Sequence, residues 1–520
     1  MILFSAFVFL STLSTASAAI GPTGTLDISN AQISPDGLTR SAVLAGSTFP
    51  GPLIQANLGD TMSINVVNAL TDNTMLKSTS IHWHGIVQNK TNWEDGPAFI
   101  TRLSPVSNRF EPLSADGSTS NIRMPDNTRE LVPVQLRSAE LSGTTVICQR
   151  NIAMGFADPW SYMTPTIPKK SLYDIDDETT IITLSDWYHY PSPQHPTIPV
   201  FNSTLINGRG RYPGGPLTDL AVINVVQGKR YRFRLISMSC DPNWIFSIAN
   251  HQLNIIEVDG VAHQPVTVNS IQIFAGQRYS FVLSASQSVD NYWIQALPQS
   301  GTNLGVINAT NSAILRYIQP HTRAYNRLKY TGARPTAAWG ADTVLNLTVT
   351  LNTTNFHFGI NNVTFVSPTV PVLLQILSGT QAAQNLLPKG SVIELQPNKV
   401  IEVNIPGGSA GSPHPFHLHG KLIFVQHTFH VTRSAGSSIY NFVNPVIRDV
   451  VATGPLTTDL TSFRFVTDNA GPWFLHCHID WHLDVGLAVV FAENIPQIAQ
   501  ETPPVSWQNL CPAYDASPMD

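Results

Sequence analysis

Apolar and polar residues alternate along most of the chain. The runs "TMSINVVNAL" (61–70), "KRYRFRLIS" (229–237) and "SVIELQPNKVIEVNIP" (391–406) put apolar side chains at close to every second position. A period of two marks a strand with one buried face. Pro-Gly and Asp-Gly turns separate such runs, and no long segment repeats at 3.6. The pattern predicts an all-β protein built of sandwiches. At 520 residues the chain exceeds a single core, and roughly 150 residues per domain gives about three. "TIITLSDWYHYP" (180–191) opens a new strand series after a Pro-, Lys- and Asp-rich stretch, and "HTRAYNRLKYTGARPTAAWG" (321–340) reads as a linker. The expected domains are 19–168, 169–322 and 323–520. No short tandem repeat is visible, although three sandwiches fit a diverged one.

Composition narrows the class. Net charge is −5 with no long basic run, which argues against nucleic acid and anionic membranes as partners. Met1–Ala18 is apolar and ends in Ala16-Ser17-Ala18, as a cleaved signal peptide does. No later stretch has the 18 or so apolar residues of a membrane span. Secretion gives meaning to six N-x-S/T sequons, at Asn89, Asn202, Asn308, Asn346, Asn352 and Asn362. Only Cys148, Cys240, Cys477 and Cys511 are present, too few for a disulfide scaffold. A monomer is the expected state.

Candidate chemistry lies in the histidines. Eight of the sixteen fall in "IHWHG" (His82, His84), "HPFHLHG" (His414, His417, His419) and "HCHIDWH" (His476, His478, His482). On a strand, residues i and i+2 share a face. His82 and His84 can then converge, as can His417 with His419 and His476 with His478. Cys477 points the opposite way, so one strand can serve two metal sites. A thiolate with two imidazoles and a weak axial neighbour describes a blue-copper site, and Cys477, His482 and His414 supply that set. The other six histidines remain for an all-imidazole cluster. Singly, each stretch has a plainer reading: "HWH" as a packed pair, "HCHxxxH" as structural zinc. Together they require three coincidences.

The stretches "SIHWHGIVQNKTNWEDGPAF", "DPNWIFSI", "VDNYWIQA", "NSAILRY", "HPFHLHGKLIFV" and "GPWFLHCHIDWHLDVGLAVVFAE" resemble fungal laccases, three-domain members of the multicopper oxidase family. The resemblance covers most of the chain except about Arg102 to Lys169. It implies three consecutive cupredoxin-like Greek-key sandwiches and four coppers: one type 1, one type 2 and a type 3 pair. Carried onto this sequence, it implies His414, Cys477 and His482 as type 1 ligands, with Leu487 at the non-coordinating axial position. His82 and His417 match type 2 ligands, and His84, His419, His476 and His478 match type 3 ligands. Asp241 matches the acidic residue at the substrate pocket, and Asp95 a carboxylate that assists proton delivery near the cluster. Alone, an Asp in "CDPN" reads as a turn former, and Leu487 as core. The implied reaction is one-electron oxidation of phenols or aryl amines, coupled to four-electron reduction of dioxygen to water.

One family motif is missing. No histidine lies between His84 and His189, where the family carries His-Ser-His and supplies two type 3 ligands. Ser142 to Pro168 stands there instead. Read two bases later, codons permitted for "NIAMG" (151–155) give Tyr-Cys-Asp-Gly, and the extension gives "WYHSHLSTQYCDGLRGP". The expectation is an out-of-frame segment. As written, each type 3 copper keeps two imidazoles, Cys240 and Cys511 lose their family partners, and domain one loses strands and core. Cys148 lies near one lost position. Rival readings follow: a catalytically impaired copper-binding glycoprotein, a ferroxidase-type relative, and more remotely a structural zinc protein.

Overall fold

The computed structural model describes residues 20–54, 61–77, 79–86, 88, 90–101, 119–123, 133–137, 151–153, 171–196, 198–299, 310–318, 340–420, 429–442 and 445–509. The signal segment Met1–Ala18, the sequons at Asn89 and Asn308, Cys148, Cys511 and most of Arg102–Lys169 lie outside the described residues.

The alternating runs become strands as read. Val222–Val226 shows strict exposed–buried alternation, and Arg230–Ser237 is buried along nearly its whole length. The first sandwich sets a four-stranded sheet, centred on Thr23–Ile33 and Thr61–Ala69, beside a three-stranded sheet of Ser80–Trp83, Pro133–Arg137 and Asn151–Ala153. The second has seven- and five-stranded sheets between 181 and 318. The third has two five-stranded sheets and a two-stranded ribbon between 343 and 493.

The diverged repeat shows in the topology. In each sandwich the opening strand pairs in parallel with a later one: Thr23–Ile33 with Thr61–Ala69, Ile181–Trp187 with Arg230–Ser237, and Thr343–Asn346 with Val400–Pro406. A parallel partner needs a crossover rather than a hairpin, so the shared pattern is a shared Greek-key path. The stretch expected to be aberrant still contributes strands to domain one. Thr119–Arg123, Pro133–Arg137 and Asn151–Ala153 all form ladders there. Main-chain pairing asks little of side-chain identity.

A fully buried tryptophan anchors each sandwich: Trp83 in the first, Trp187 and Trp244 in the second, Trp473 in the third. Each contributes about 3–5 kcal/mol against truncation to alanine. One apolar core runs through the second and third sandwiches, from Phe233 and Phe281 to Phe416 and Phe491. The first keeps its own core around Leu26, Ile64 and Trp83. Arg40 ties it to the second, stacking 4.1 Å over Trp187 and donating its Nε–H to the Tyr188 carbonyl at 2.7 Å. No helix among the described residues is long and apolar enough to cross a membrane.

Candidate metal centre

Strand Gly471–Cys477 is buried along its whole length. It pairs with Pro415–Leu418 so that His417 faces His476 and Phe416 faces Cys477. Pleating sends Cys477 to one side of the sheet and His476 and His478 to the other. Two donor sets result, back to back.

On the thiolate side the chain turns back at Ile479 into the short helix Asp480–Asp484. The Leu487 N–H donates to the His482 carbonyl at 2.9 Å, and the Cys477 N–H donates to the Leu487 carbonyl at 3.0 Å. This folds His482 over Cys477. His414 is held from Thr453, whose hydroxyl accepts the His414 N–H at 2.9 Å. Its Nε2–H donates to the Ala410 carbonyl at 3.0 Å, which leaves the Nδ1 lone pair for the centre. His414 Nδ1 lies 3.1 Å from His482 Nδ1, and Cys477 Sγ lies 3.7 Å from each. The point equidistant from the three donors is about 2 Å from each, a metal–ligand distance.

Electrostatics points the same way. Burial pushes His414 down to about 4 and His482 well below the usual imidazole range, so both rings stay neutral. The His414 Nδ1 lone pair faces His482 Nδ1 at 3.1 Å, and in its Nε2–H tautomer His482 would turn a second lone pair to the same point, where a cation fits. Burial raises the Cys477 thiol, and a bound cation reverses that by holding the thiolate. Thiolate with two imidazoles fits copper. Leu487 is fully buried in the same core and offers no donor atom. His414 and Cys477 are sealed, whereas His482 is half-buried; the centre meets solvent along that one imidazole.

Asp241 sits beside this edge, close enough for its charge to raise the Cys477 thiol. Burial and the neighbouring Asp186 lift its own carboxyl to about 7. Asp186, lifted by burial to about 6, organises the turn. It accepts the Cys240 N–H at 2.8 Å, the Asp241 N–H at 3.2 Å and the Tyr188 hydroxyl at 2.8 Å. Trp481 donates its indole N–H to Tyr188 at 3.0 Å, and the Asp480 N–H donates to the Cys240 carbonyl at 2.8 Å. The Asp241 turn is thus fastened to the helix that carries His482.

Across the sheet six buried imidazoles gather. His82, His84 and His417 bring donor atoms within 4.8 Å of one another. His419 Nε2 lies 3.1 Å from His476 Nε2, and His84 Nδ1 lies 3.4 Å from His478 Nε2. The nitrogens that face inward are selected by what holds the others. His82 Nδ1–H donates to the Asp95 carbonyl at 2.8 Å, and His417 Nδ1–H to the Asp449 carbonyl at 3.0 Å. His419 Nδ1–H donates to the Asp95 carboxylate at 2.8 Å. His476 Nδ1–H donates to the Cys477 carbonyl at 2.8 Å. Asp95 therefore orients two histidines, a task the reading of it as a proton donor did not include. Its neighbour must be glycine: Gly96 has φ +90, and a side chain there would drive into the Ile81 carbonyl.

The second sandwich closes the cluster. Arg278 is buried and grips Asp449 with both Nη atoms, at 2.7 and 2.9 Å. Its Nη1 also lies 3.0 Å from His84 Nε2. Gly276 passes so near that a Cβ would lie 2.5 Å from His478 Cδ2. One guanidinium thus touches histidine and carboxylate groups from the other two sandwiches. Neither Arg278 nor Asp449, nor Asp186, stood out in the sequence. The available signal was a charge within an apolar strand run, as in "GQRYSFVL", "VIRDVV" and "TLSDWY".

Two expectations from the aberrant stretch meet the structure unevenly. Ser142–Pro168 lies outside the described residues apart from Asn151–Ala153. Cys240 is disulfide-bonded, so losing the family's cysteine does not leave it a free thiol; its partner lies outside the described residues. Among the described residues Cys477 is a free thiol, as metal ligation requires.

Comparison with known proteins agrees with this geometry. Three family models described as multicopper oxidase match residues 27–108, 178–320 and 365–497. Laccase-2 of Pleurotus ostreatus is 50% identical over 528 residues, covering 96% of this chain and 94% of that protein. A laccase of Trametes hirsuta is 50% identical over 533 residues, covering 98% and 97%. Among solved structures, the laccase from Botrytis aclada superposes with a TM-score of 0.74 at 26% identity, covering 95% of this chain and 92% of that one. Fet3p, a multicopper oxidase that functions in iron import, gives 0.74 at 20% identity over 95% of each chain; at that identity the likeness speaks for the fold. With two donor sets built back to back on one strand, three matching models and half-identical relatives over nearly its whole length, the chain belongs to the multicopper oxidase family, as a copper-binding, laccase-type oxidoreductase.

Proposed function

We propose that electrons enter from phenols or aryl amines at the half-exposed edge of His482, with His414, Cys477 and His482 as the type 1 ligands. The observation that carries this is the single strand 471–477, continuing into His478, which puts a thiolate in one donor set and its two sequence neighbours in the other. Bound copper supplies one-electron acceptance at the thiolate set and reduction of dioxygen to water at the imidazole set. Residues do the rest. His82 and His417 serve the type 2 position, and His84, His419, His476 and His478 the type 3 pair. Asp241, held to about 7, accepts a hydrogen bond from the phenol hydroxyl and then its proton. Asp95 holds two imidazoles in their ligating tautomers.

The same reading has the chain secreted, cleaved after Ala18 and monomeric, with domains 19–168, 169–322 and 323–520. Asn346, Asn352 and Asn362 are exposed enough to carry glycans, whereas Asn202 is half-buried and its side-chain oxygen accepts the His189 N–H at 2.8 Å.

A second reading is favoured by one observation. With no histidine between 84 and 189, each type 3 position has two imidazoles. The chain as written then holds type 1 copper and loses oxygen chemistry. Sequencing the transcript between the codons for Gly96 and Leu172 tests the frame proposal. An in-frame Trp-Tyr-His-Ser-His-Leu supports the complete oxidase, and the written sequence overturns the frame proposal. Oxygen uptake with a simple phenol, run beside Fe(II), then separates laccase, ferroxidase and impaired copper binder.

A further inference from the structure

A cleft of about 590 Å³ opens on the second sandwich, among residues that no step above uses. Its floor is the outer face of the five-stranded sheet. Val222, Ile314 and Trp293 lie directly across three adjacent strands. This row is apolar, yet Val222 is 38% exposed and Trp293 46%. One step along, Arg316 lies between Asn224 and Asn291. The opposite wall is the edge strand Arg209–Arg211 of the seven-stranded sheet. Arg209 and Arg211 are two apart on that strand and share a face.

Three guanidinium groups therefore meet one carboxylate, Asp219, around an exposed indole. The surplus of positive charge stands on a chain whose net charge is −5. Two of the arginines are preset. Arg211 donates its Nε–H to the Thr218 carbonyl at 2.7 Å, and Arg316 its Nε–H to the Asn291 side-chain oxygen at 3.1 Å. Each anchor leaves the Nη pair to make the two-point bond that a planar oxyanion accepts. The volume suits a small aromatic ligand. Tryptophan and arginine are also the residue types that concentrate binding energy at recognition surfaces.

We propose that this cleft is a binding site for aromatic carboxylates, the ring lying on the Val222–Ile314–Trp293 row and the carboxylate held by Arg209, Arg211 and Arg316. It is an exosite, carried by the second sandwich while the thiolate centre is carried by the third. It serves free aromatic acids and, equally, acid groups on a phenolic polymer whose other units reach His482. The catalytic consequence rests on the phenol-oxidase reading. The binding itself does not.

Calorimetric titration of the full-length, copper-loaded protein with 2-naphthoate tests the site without turnover, with naphthalene-2-carboxamide as the neutral counterpart. The expected result is saturable, salt-sensitive binding of the carboxylate alone. Affinity should fall by about tenfold or more in Arg209→Ala/Arg316→Ala, since both bonds are charge-assisted. It should fall in Trp293→Ala and be largely restored in Trp293→Phe, which keeps a ring on the platform. Equal binding of the carboxamide, or affinities unchanged in these variants, overturns the site. A carboxylated phenolic polymer supplies the second arm. A raised KM in the arginine variant, with kinetics on a small neutral phenol unchanged, supports the exosite in substrate capture. An unchanged polymer KM overturns that part and assigns the cleft to free acids.

Discussion

The two donor sets share one strand yet are built by opposite means. The thiolate set draws all three donors from 414–482 of one sandwich, held by hydrogen bonds to Ala410, Thr453 and Leu487 of that sandwich, and only its helix is fastened to the second sandwich, at Cys240 and Tyr188. The imidazole set has no sandwich of its own. His82 and His84 come from the first, four histidines from the third, and Arg278 and Gly276 from the second. A centre encoded locally tolerates damage elsewhere. A centre at a seam depends on three domains docking in register, and here the missing motif falls in one of them.

The largest expected effects separate the two directly. Cys477→Ser should abolish the visible thiolate–copper absorption and lower phenol oxidation roughly a thousandfold, while a type 2 copper resonance persists. His417→Ala should do the reverse, removing the type 2 resonance and keeping the colour. If either change erases both signals, the sets are not independent and the comparison fails.

Arg278 comes next. Arg278→Met strands Asp449 as a fully buried, uncompensated charge, an expected cost of about 3–5 kcal/mol, read by thermal unfolding. Arg278→Lys keeps the charge but cannot hold both Asp449 oxygens and approach His84 at once. It should retain the fold and the blue band while weakening copper in the imidazole set by about 10- to 100-fold. Loss of the blue band in Arg278→Lys would mean that the third sandwich itself depends on the clamp.

What the sequence revealed follows the same division. The alternation in "HCHIDWH" was readable because a pleat has a fixed period, and with it the opposed placement of Cys477 and its neighbours. Strand-rich sandwiches were readable from runs such as 229–237. Arg278, Asp449 and Asp186 were not, because their partners lie in other elements: Arg278 bonds 171 residues away and Asp186 bonds 54 residues away. No local period encodes that. Asp95 was noticed and assigned a different task, since only the fold shows which nitrogen each histidine turns to it.

A smaller effect concerns the edge of the thiolate set. Asp241 and Asp186 have folded values of about 7 and about 6, both above the ordinary 3.8. A carboxyl raised on folding binds its proton more tightly when folded. Its contribution is present below about 4 and is lost as pH rises through the folded value. Unfolding midpoints should therefore decline between pH 4 and 7. Burial also raises the Glu501 carboxyl to about 7, so in Asp241→Asn the decline between 6 and 7 should shrink without vanishing, and KM should rise for phenols but not for donors that release no proton. An undiminished decline between 6 and 7 would remove Asp241 from this account.

Leu487→Met tests the finest feature. Leu487 is fully buried, and its main chain holds both His482 and Cys477. Leucine and methionine have similar volumes, so the fold should lose less than about 1.5 kcal/mol. The main-chain bonds survive the change. With Leu487 at the axial position that the family resemblance implies, a thioether there would donate to the metal, as an isobutyl group cannot. Added donation favours the oxidised metal, so the type 1 potential should fall, with little change in the type 2 resonance across the sheet. A redox titration reads the first and electron paramagnetic resonance the second. An unchanged potential would mean that Leu487 is packing alone, and that three donors and their burial set the centre without it.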